Sequence, residues 1–131
     1  MQLLNPASAH LWLPIVEPLL HKTYETTNVG NFVDKEVLRE SLKEGTNHCF
    51  LSDECKYAGV FYTSEQSVRC WMLGGEEPDN GWSEVASFLE DMAKLFGKPY
   101  VQIEGRLGWK RKLGHLGYEV DSLILIKEVN E

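Results

Sequence analysis

The sequence has too few cysteines to be held by disulfides, and it places them too irregularly to build a metal site. Cys49, Cys55 and Cys70 make an odd set of 3, and no pair of cysteines or histidines has the spacing of a tetrahedral zinc site. No metal is expected. Cys49 and Cys55 read as reduced, partly buried strand residues, which points to a reducing cytoplasm. Long apolar runs are scarce too. No segment reaches the roughly 20 apolar residues that a bilayer span needs. The apolar stretch at residues 11–20 is interrupted by Pro14 and Pro18 and has no basic region before it, so neither a secretory signal nor a membrane partner is expected. Positive charge is also short. Lys and Arg number 13 against 20 Asp and Glu, a formal net charge of −7. A surface of that sign repels phosphate backbones at long range and argues against general nucleic-acid binding. It leaves room for a local basic pocket around an anionic ligand.

What the chain does have is enough apolar material for one core. Hydrophobic residues make up 43% of its 131 positions. No repeat, low-complexity tract or linker divides them, so residues 1–131 read as a single domain. A short strand at residues 2–4 is stopped by Asn5 and Pro6. Ser8 is placed to cap a helix with Leu11, Ile15, Val16, Leu19 and Leu20 on one side. Pro14 and Pro18 would make that helix irregular and divide it into short pieces. Asp34 sits at the N-cap of a helix that ends at Gly45, with Val37, Leu38 and Leu42 facing inward. Three strand candidates follow, at residues 48–52, 57–63 and 67–73, as an antiparallel meander ended by Gly74 and Gly75. In the third, Val68, Cys70 and Met72 alternate with Arg69, Trp71 and Leu73.

After Asp79, Asn80 and Gly81, the residues Val85, Phe88, Leu89, Met92, Leu95 and Phe96 recur at helical spacing up to Gly97. Residues 100–103 read as a strand, 109–116 as a short helix stopped by Gly117, and 118–127 as a last strand buried on both faces. A crossover helix makes the strand at 100–103 parallel to its neighbour. The fold class is therefore α/β of the α+β kind, a mixed and mostly antiparallel sheet with helices on both faces.

Residues 71–129 carry a more specific pattern. Leu73-Gly74-Gly75-Glu76 precedes the long helix, and Glu104-Gly105-Arg106, Gly108-Trp109, Arg111, Leu113 and Gly117-Tyr118 follow it. This order resembles the GCN5-related N-acetyltransferase superfamily, whose members move an acetyl group from acetyl-CoA to an amine. It is similar in particular to small acetyltransferase-like proteins of tailed bacteriophages. The resemblance implies an acyl-CoA N-acyltransferase-like fold with acetyl-CoA as cofactor. Its thioester arm would lie between two strands that part just past Leu73, beside Tyr100. Leu73, Gly74, Gly75, Gly81, Trp82, Arg106 and Arg111 would then bind the cofactor. The acceptor would be a small-molecule or protein amine, in the host cytoplasm if the protein is phage-encoded.

Two departures from the family pattern stand in the sequence. Its phosphate turn is Gly-rich, whereas this chain reads Glu76-Glu77-Pro78-Asp79-Asn80-Gly81. Carboxylates repel an anion at a helix N-terminus, and proline removes a donor. The family's tyrosine acid falls at Leu113, which has no proton to give. These departures support an alternative: a non-catalytic member of the same fold, serving as a virion component or as a binder of a host protein, or one that binds CoA without transfer.

Single residues read two ways. Glu104, after a strand, and His115, with an ordinary pKa near 6.5, are the candidates for proton transfer; each also reads as a plain surface group. Arg106, Lys110, Arg111 and Lys112 form either an anion clamp or a solvated helix face. Trp82 and Trp109 either wall a pocket or cover the core. Glu76, Glu77 and Asp79 either attract a cationic amine or stabilise the start of the following helix.

Overall fold

The computed structural model describes residues 1–26, 34–78, 82–104 and 114–119, with no account of the side chains of 22–26. Strand β1 (Gln2–Leu3) is followed by a 3-10 turn (Pro6–Ser8) and helix α1 (Ala9–Thr26). Helix α2 (Lys35–Glu44) leads into β2 (His48–Leu51), β3 (Tyr57–Thr63) and β4 (Ser67–Gly75). Helix α3 (Ser83–Leu95), strand β5 (Tyr100–Ile103) and a 3-10 turn (Gly114–Leu116) complete the described chain. The strands form one sheet in the order β1-β2-β3-β4-β5. The pairs β1–β2, β2–β3 and β3–β4 are antiparallel, and β4–β5 is parallel because α3 carries the chain across. The last expected strand, at 118–127, lies beyond the described residues except for its first two positions. The helix expected at 109–116 is described only from Gly114.

Helices cover both faces of the sheet. On one face, Trp12, Leu13, Val16 and Leu20 of α1 and Leu38 and Leu42 of α2 pack on Cys49, Leu51, Ala58, Val60 and Met72. On the other, Val85, Leu89 and Ala93 of α3 pack on Phe50, Tyr57, Phe61, Val68 and Cys70. The alternation of β2 and β3 deals these side chains to opposite sides. Each fully buried Phe, Leu or Val among them contributes about 1.5–3 kcal/mol.

Helix α2 follows its sequence signals closely. The Asp34 carboxylate accepts from Glu36 N at 2.9 Å and Val37 N at 3.3 Å, and Gly45 closes the helix at φ 81°. Val37 differs from expectation: it is 65% exposed, because the inward stripe is narrow and runs through Leu38 and Leu42. Leu95, likewise expected inside, is exposed at the end of α3.

Helix α1 is continuous through both prolines. Pro14 and Pro18 are one turn apart on the exposed side, where the carbonyls left without a helical donor meet water. The N-terminal cap is also displaced from Ser8. Asn5 caps the preceding turn, accepting from Ala7 N at 2.9 Å, and its carbonyl takes the Trp12 indole N–H at 2.8 Å. The Glu17 carboxylate ties α1 to α2 by a two-pronged pair with Arg39, at 2.6 and 2.9 Å, and Arg39 holds its carboxyl below the usual range.

Cys49 and Cys70 are buried free thiols, each pushed up to about 12 by burial. Cys55 differs from its expected strand position. It is exposed in the β2–β3 turn at φ 58°.

Two outcomes follow from this packing. Phe50 lies across Gly59, where an added Cβ would meet Phe50 Cε1 at 2.6 Å and the Met72 carbonyl at 2.9 Å. Gly59→Ala should therefore lower stability by about 1–3 kcal/mol, read as a shifted urea midpoint. His48 stacks on Phe61 at 5.0 Å, and burial lowers its pKa. The folded state thus binds its proton more weakly than the unfolded chain. The stability this contributes is present above about pH 6.5 and is lost as pH falls through the lower folded value. Melting temperature measured from pH 7.5 downward should decline in that window, and His48→Phe should flatten the decline.

Candidate functional site

Strand β4 is regular only up to Cys70. Phe61 pairs with Cys70 while Val60 pairs with Met72, so Trp71 is an extra residue opposite β3. Such a bulge bends and twists its strand. It also turns the alternation over. Val68 and Cys70 face α3, whereas Trp71 and Met72 both face α1. The regular alternation expected for residues 68–73 therefore holds only before the bulge.

The parallel ladder to β5 ends at the same point. Ser67 pairs with Tyr100, Val68 with Val101, Arg69 with Gln102 and Cys70 with Ile103. A final bond, Glu104 N to the Cys70 carbonyl at 2.9 Å, closes it. Residues 71–75 continue along β3, and no partner for them on the β5 side occurs among the described residues. Among the described residues β5 is laddered to β4 over its whole length, and residues 105–113, which follow it, lie outside the description. The parting was expected just past Leu73 and beside Tyr100. The described ladder ends at Cys70, three residues before Leu73, Tyr100 pairs with Ser67 at its start, and the segment that would flank residues 71–75 lies outside the described residues.

The surroundings hold this geometry in place. Buried Ser67 donates to Gln102 Oε1 at 2.9 Å, pinning the ladder. The Trp71 indole N–H donates to Asn47 Oδ1 at 2.9 Å, Asn47 Nδ2 to Ser41 Oγ at 3.0 Å, and Ser41 Oγ to the Leu38 carbonyl at 2.7 Å. The bulge is therefore fastened through the α2–β2 turn to α2.

Of the residues singled out in the sequence, Leu73, Gly74 and Gly75 lie on the parted stretch of β4. Gly75 has φ 110°, and a Cβ there would meet the Lys56 carbonyl at 2.5 Å, so only glycine fits. Glu104 stands at the end of the ladder, 43% exposed, with Arg69 Nη2 at 3.7 Å. His115 is exposed on the Gly114–Leu116 turn, and no hydrogen bond or ion pair joins it to Glu104 among the described residues. Trp82 is buried at the N-cap of α3, edge-on to Tyr57 at 5.3 Å, and its side chain makes no cap. Gly81, Arg106 and Arg111 lie outside the described residues, as do Asp79 and Asn80, the expected caps of α3.

The start of α3 is acidic. Glu84 lies in the first turn and accepts from the Tyr57 hydroxyl at 3.1 Å. Burial first, and Glu84 second, push that phenol up to about 12. Glu76 and Glu77 are exposed just beyond β4.

Two residues near the end of the ladder were not singled out. Arg69 is the one charged residue in the β4 sequence, and an isolated charge inside an apolar strand was the available signal. Tyr118 was read as part of a glycine-aromatic break. Its hydroxyl is buried with no hydrogen-bond partner among the described residues, and burial pushes it up to about 12. A separate cavity of about 290 Å³ lies between α1 and α2 over Leu13, Leu20 and Leu42. The Glu17–Arg39 pair on its rim is already satisfied. No cluster of metal-ligating side chains occurs among the described residues, and no described helix is long and apolar enough to cross a membrane.

No protein-family model and no curated protein matches the sequence. Solved structures do share the fold. A tetramutant of the BH1408 protein from Bacillus halodurans superposes with TM-score 0.68 at 10% identity, covering 98% of each chain. A protein described as a probable acetyltransferase superposes with TM-score 0.62 at 9% identity, covering 100% of this chain and 97% of the other. The mixed α/β architecture is thus similar to an acetyltransferase fold over its whole length.

The staple at the bulge generates a stability prediction. Asn47→Ala leaves the half-buried Trp71 indole N–H without its acceptor, so about 1–3 kcal/mol should be lost on urea unfolding. Asn47→Asp, which keeps the acceptor for Trp71 but loses the donor to Ser41, should recover only part of it.

Proposed function

We propose that this chain is an acyl-CoA-dependent N-acyltransferase of the GCN5-related kind, acting as one domain over residues 1–131 in the cytoplasm. The observation that supports this reading is that the described β4–β5 ladder ends at Cys70 while β4 runs on through Gly75; we take residues 71–75 as the open side of a fork between the two strands. An extended arm with amide groups, such as pantetheine, can use strand backbone in place of a neighbouring strand. Acetyl-CoA would supply an activated acyl carbonyl.

The chain's own residues supply the rest. The backbone of Leu73, Gly74 and Gly75 would line the arm. The first turn of α3, opened by Gly81 and Trp82, would face the phosphates, with Arg106 and Arg111 as their charged partners. Glu104, directly or through water, would take a proton from the incoming amine, with His115 as the second candidate. The fit is good along the strand and poorer at the phosphate end, because Glu84, Glu76 and Glu77 add negative charge there. That charge, with Leu113 in place of the acid, favours a second reading: a non-catalytic protein of this fold that binds a phage or host protein.

Titration with acetyl-CoA separates the two. A ligand at 100 times its dissociation constant stabilises the fold by about 2.7 kcal/mol, so a clear rise in melting temperature is expected. Arg111→Ala and Gly81→Glu should each weaken it. No shift at millimolar acetyl-CoA would leave the protein-binding reading standing.

A further inference from the structure

Arg69 is a half-buried guanidinium with unused donors. It lies on the α1 side of β4, opposite Gln102, two residues before the bulge. Its side chain is 32% exposed, and its Nε is buried with no hydrogen-bond partner among the described residues. Its contacts are the Tyr62 ring, with Cζ 5.9 Å from the centroid, and Glu104, at 3.7 Å from Nη2. The second distance is too long for a hydrogen bond. No other partner of Arg69 occurs among the described residues. A guanidinium carries five donors in a planar fork, and a partly desolvated one left without acceptors is costly. The ring below it and the strand beneath hold it in place, so the fork is set before any ligand arrives.

Position says which ligand this serves. Arg69 and Gly75 are six residues apart along β4, about 20 Å at strand spacing. The phosphate end of a thioester arm, at the start of α3, is therefore out of reach, and Arg69 serves the end where the acyl group and the amine meet. A simple anion there would be pressed against the Glu104 carboxylate. A zwitterion would not: its carboxylate can lie on Arg69 while its ammonium lies on Glu104, each charge beside its opposite. One carbon separates the two groups of an α-amino acid, a span of the same order as the 3.7 Å between Arg69 and Glu104.

We infer that the acceptor is an α-amino acid, whose carboxylate is held by Arg69 and whose ammonium is held by Glu104 at the fork of β4 and β5. The inference rests on the acyltransferase reading for its chemistry, but its binding half stands alone. In the transfer, Glu104 takes one proton from the ammonium. The freed lone pair forms the N–C bond to the acyl carbon as the C–S bond breaks. The second N–H proton passes through water to the departing thiolate, and Glu104 returns its proton to solvent. The products are an N-acetyl amino acid and the free thiol.

The test compares common α-amino acids with the matching amino-acid amides, for wild type, Arg69→Gln and Arg69→Lys, each first shown to be folded by circular dichroism. Thiol release gives kcat and KM, and calorimetry without acetyl-CoA gives amino-acid binding. Wild type should favour at least one free acid over its amide by roughly 10- to 100-fold in kcat/KM, the range for a hydrogen bond to a charged group. Arg69→Gln should erase that preference through KM rather than kcat, and Arg69→Lys should keep part of it. If wild type binds no acetyl-CoA yet binds amino acids, and Arg69→Gln does not, acyl transfer falls and the amino-acid site stands. Equal treatment of acids and amides by wild type, absence of amino-acid binding, or binding indifferent to Arg69→Gln would overturn the inference.

Discussion

One extra residue in one strand sets the layout on which everything else here depends. Trp71 has no counterpart on β3, so β4 turns its side chains over at that point. Before the bulge, β4 sends Val68 and Cys70 into the α3 core and shares a ladder with β5. After it, Met72 joins the α1 core and no further pairing with β5 occurs among the described residues. The passage of β4 from one core to the other follows from that single insertion. Hydrogen bonds fasten the ladder and the bulge. Ser67 and Gln102 lock the ladder, and Trp71, Asn47 and Ser41 tie the bulge to α2.

Charge divides the site along the strand. Glu84, Glu76 and Glu77 surround the start of α3, while the fork carries a guanidinium with a carboxylate nearby. A chain with a net charge of −7 gains little long-range attraction for an anionic ligand. Binding of a phosphorylated thioester would depend on close contacts, and a zwitterionic acceptor would be indifferent to the net charge. Burial removes Cys70 from the chemistry, since a thiol pushed up to about 12 is a poor nucleophile near neutral pH.

Much of the fold was legible in the residues because local chemistry and tertiary packing agree there. Asp34 and Gly45 write both ends of α2, the spacing of Val85, Leu89 and Met92 writes the inward stripe of α3, and the apolar residues of 57–63 write β3. The failures share one cause, which is that tertiary context decided them. Pro14 and Pro18 do not break α1 because both face water. Val37 and Leu95 have the right character at positions just off the buried stripe. The bulge carries no glycine to announce it, so the faces of β4 were assigned as if the strand were regular and the fork was expected beyond Leu73. Of the residues proposed for the site, Glu104 was singled out from its place after a strand and Leu73 to Gly75 from the family resemblance. Arg69 was not, because its meaning lies in its neighbours across the sheet rather than along the chain.

The central claim is that the fork receives the thioester's arm along β4. Backbone amide hydrogen exchange with and without acetyl-CoA tests it residue by residue. Amides of Ser67 to Cys70 should be slow in both conditions, and those of residues 71–75 that point away from β3 should slow only when acetyl-CoA is added. Unchanged exchange across residues 71–75 at saturating acetyl-CoA, or protection confined to another part of the sheet, would contradict the account.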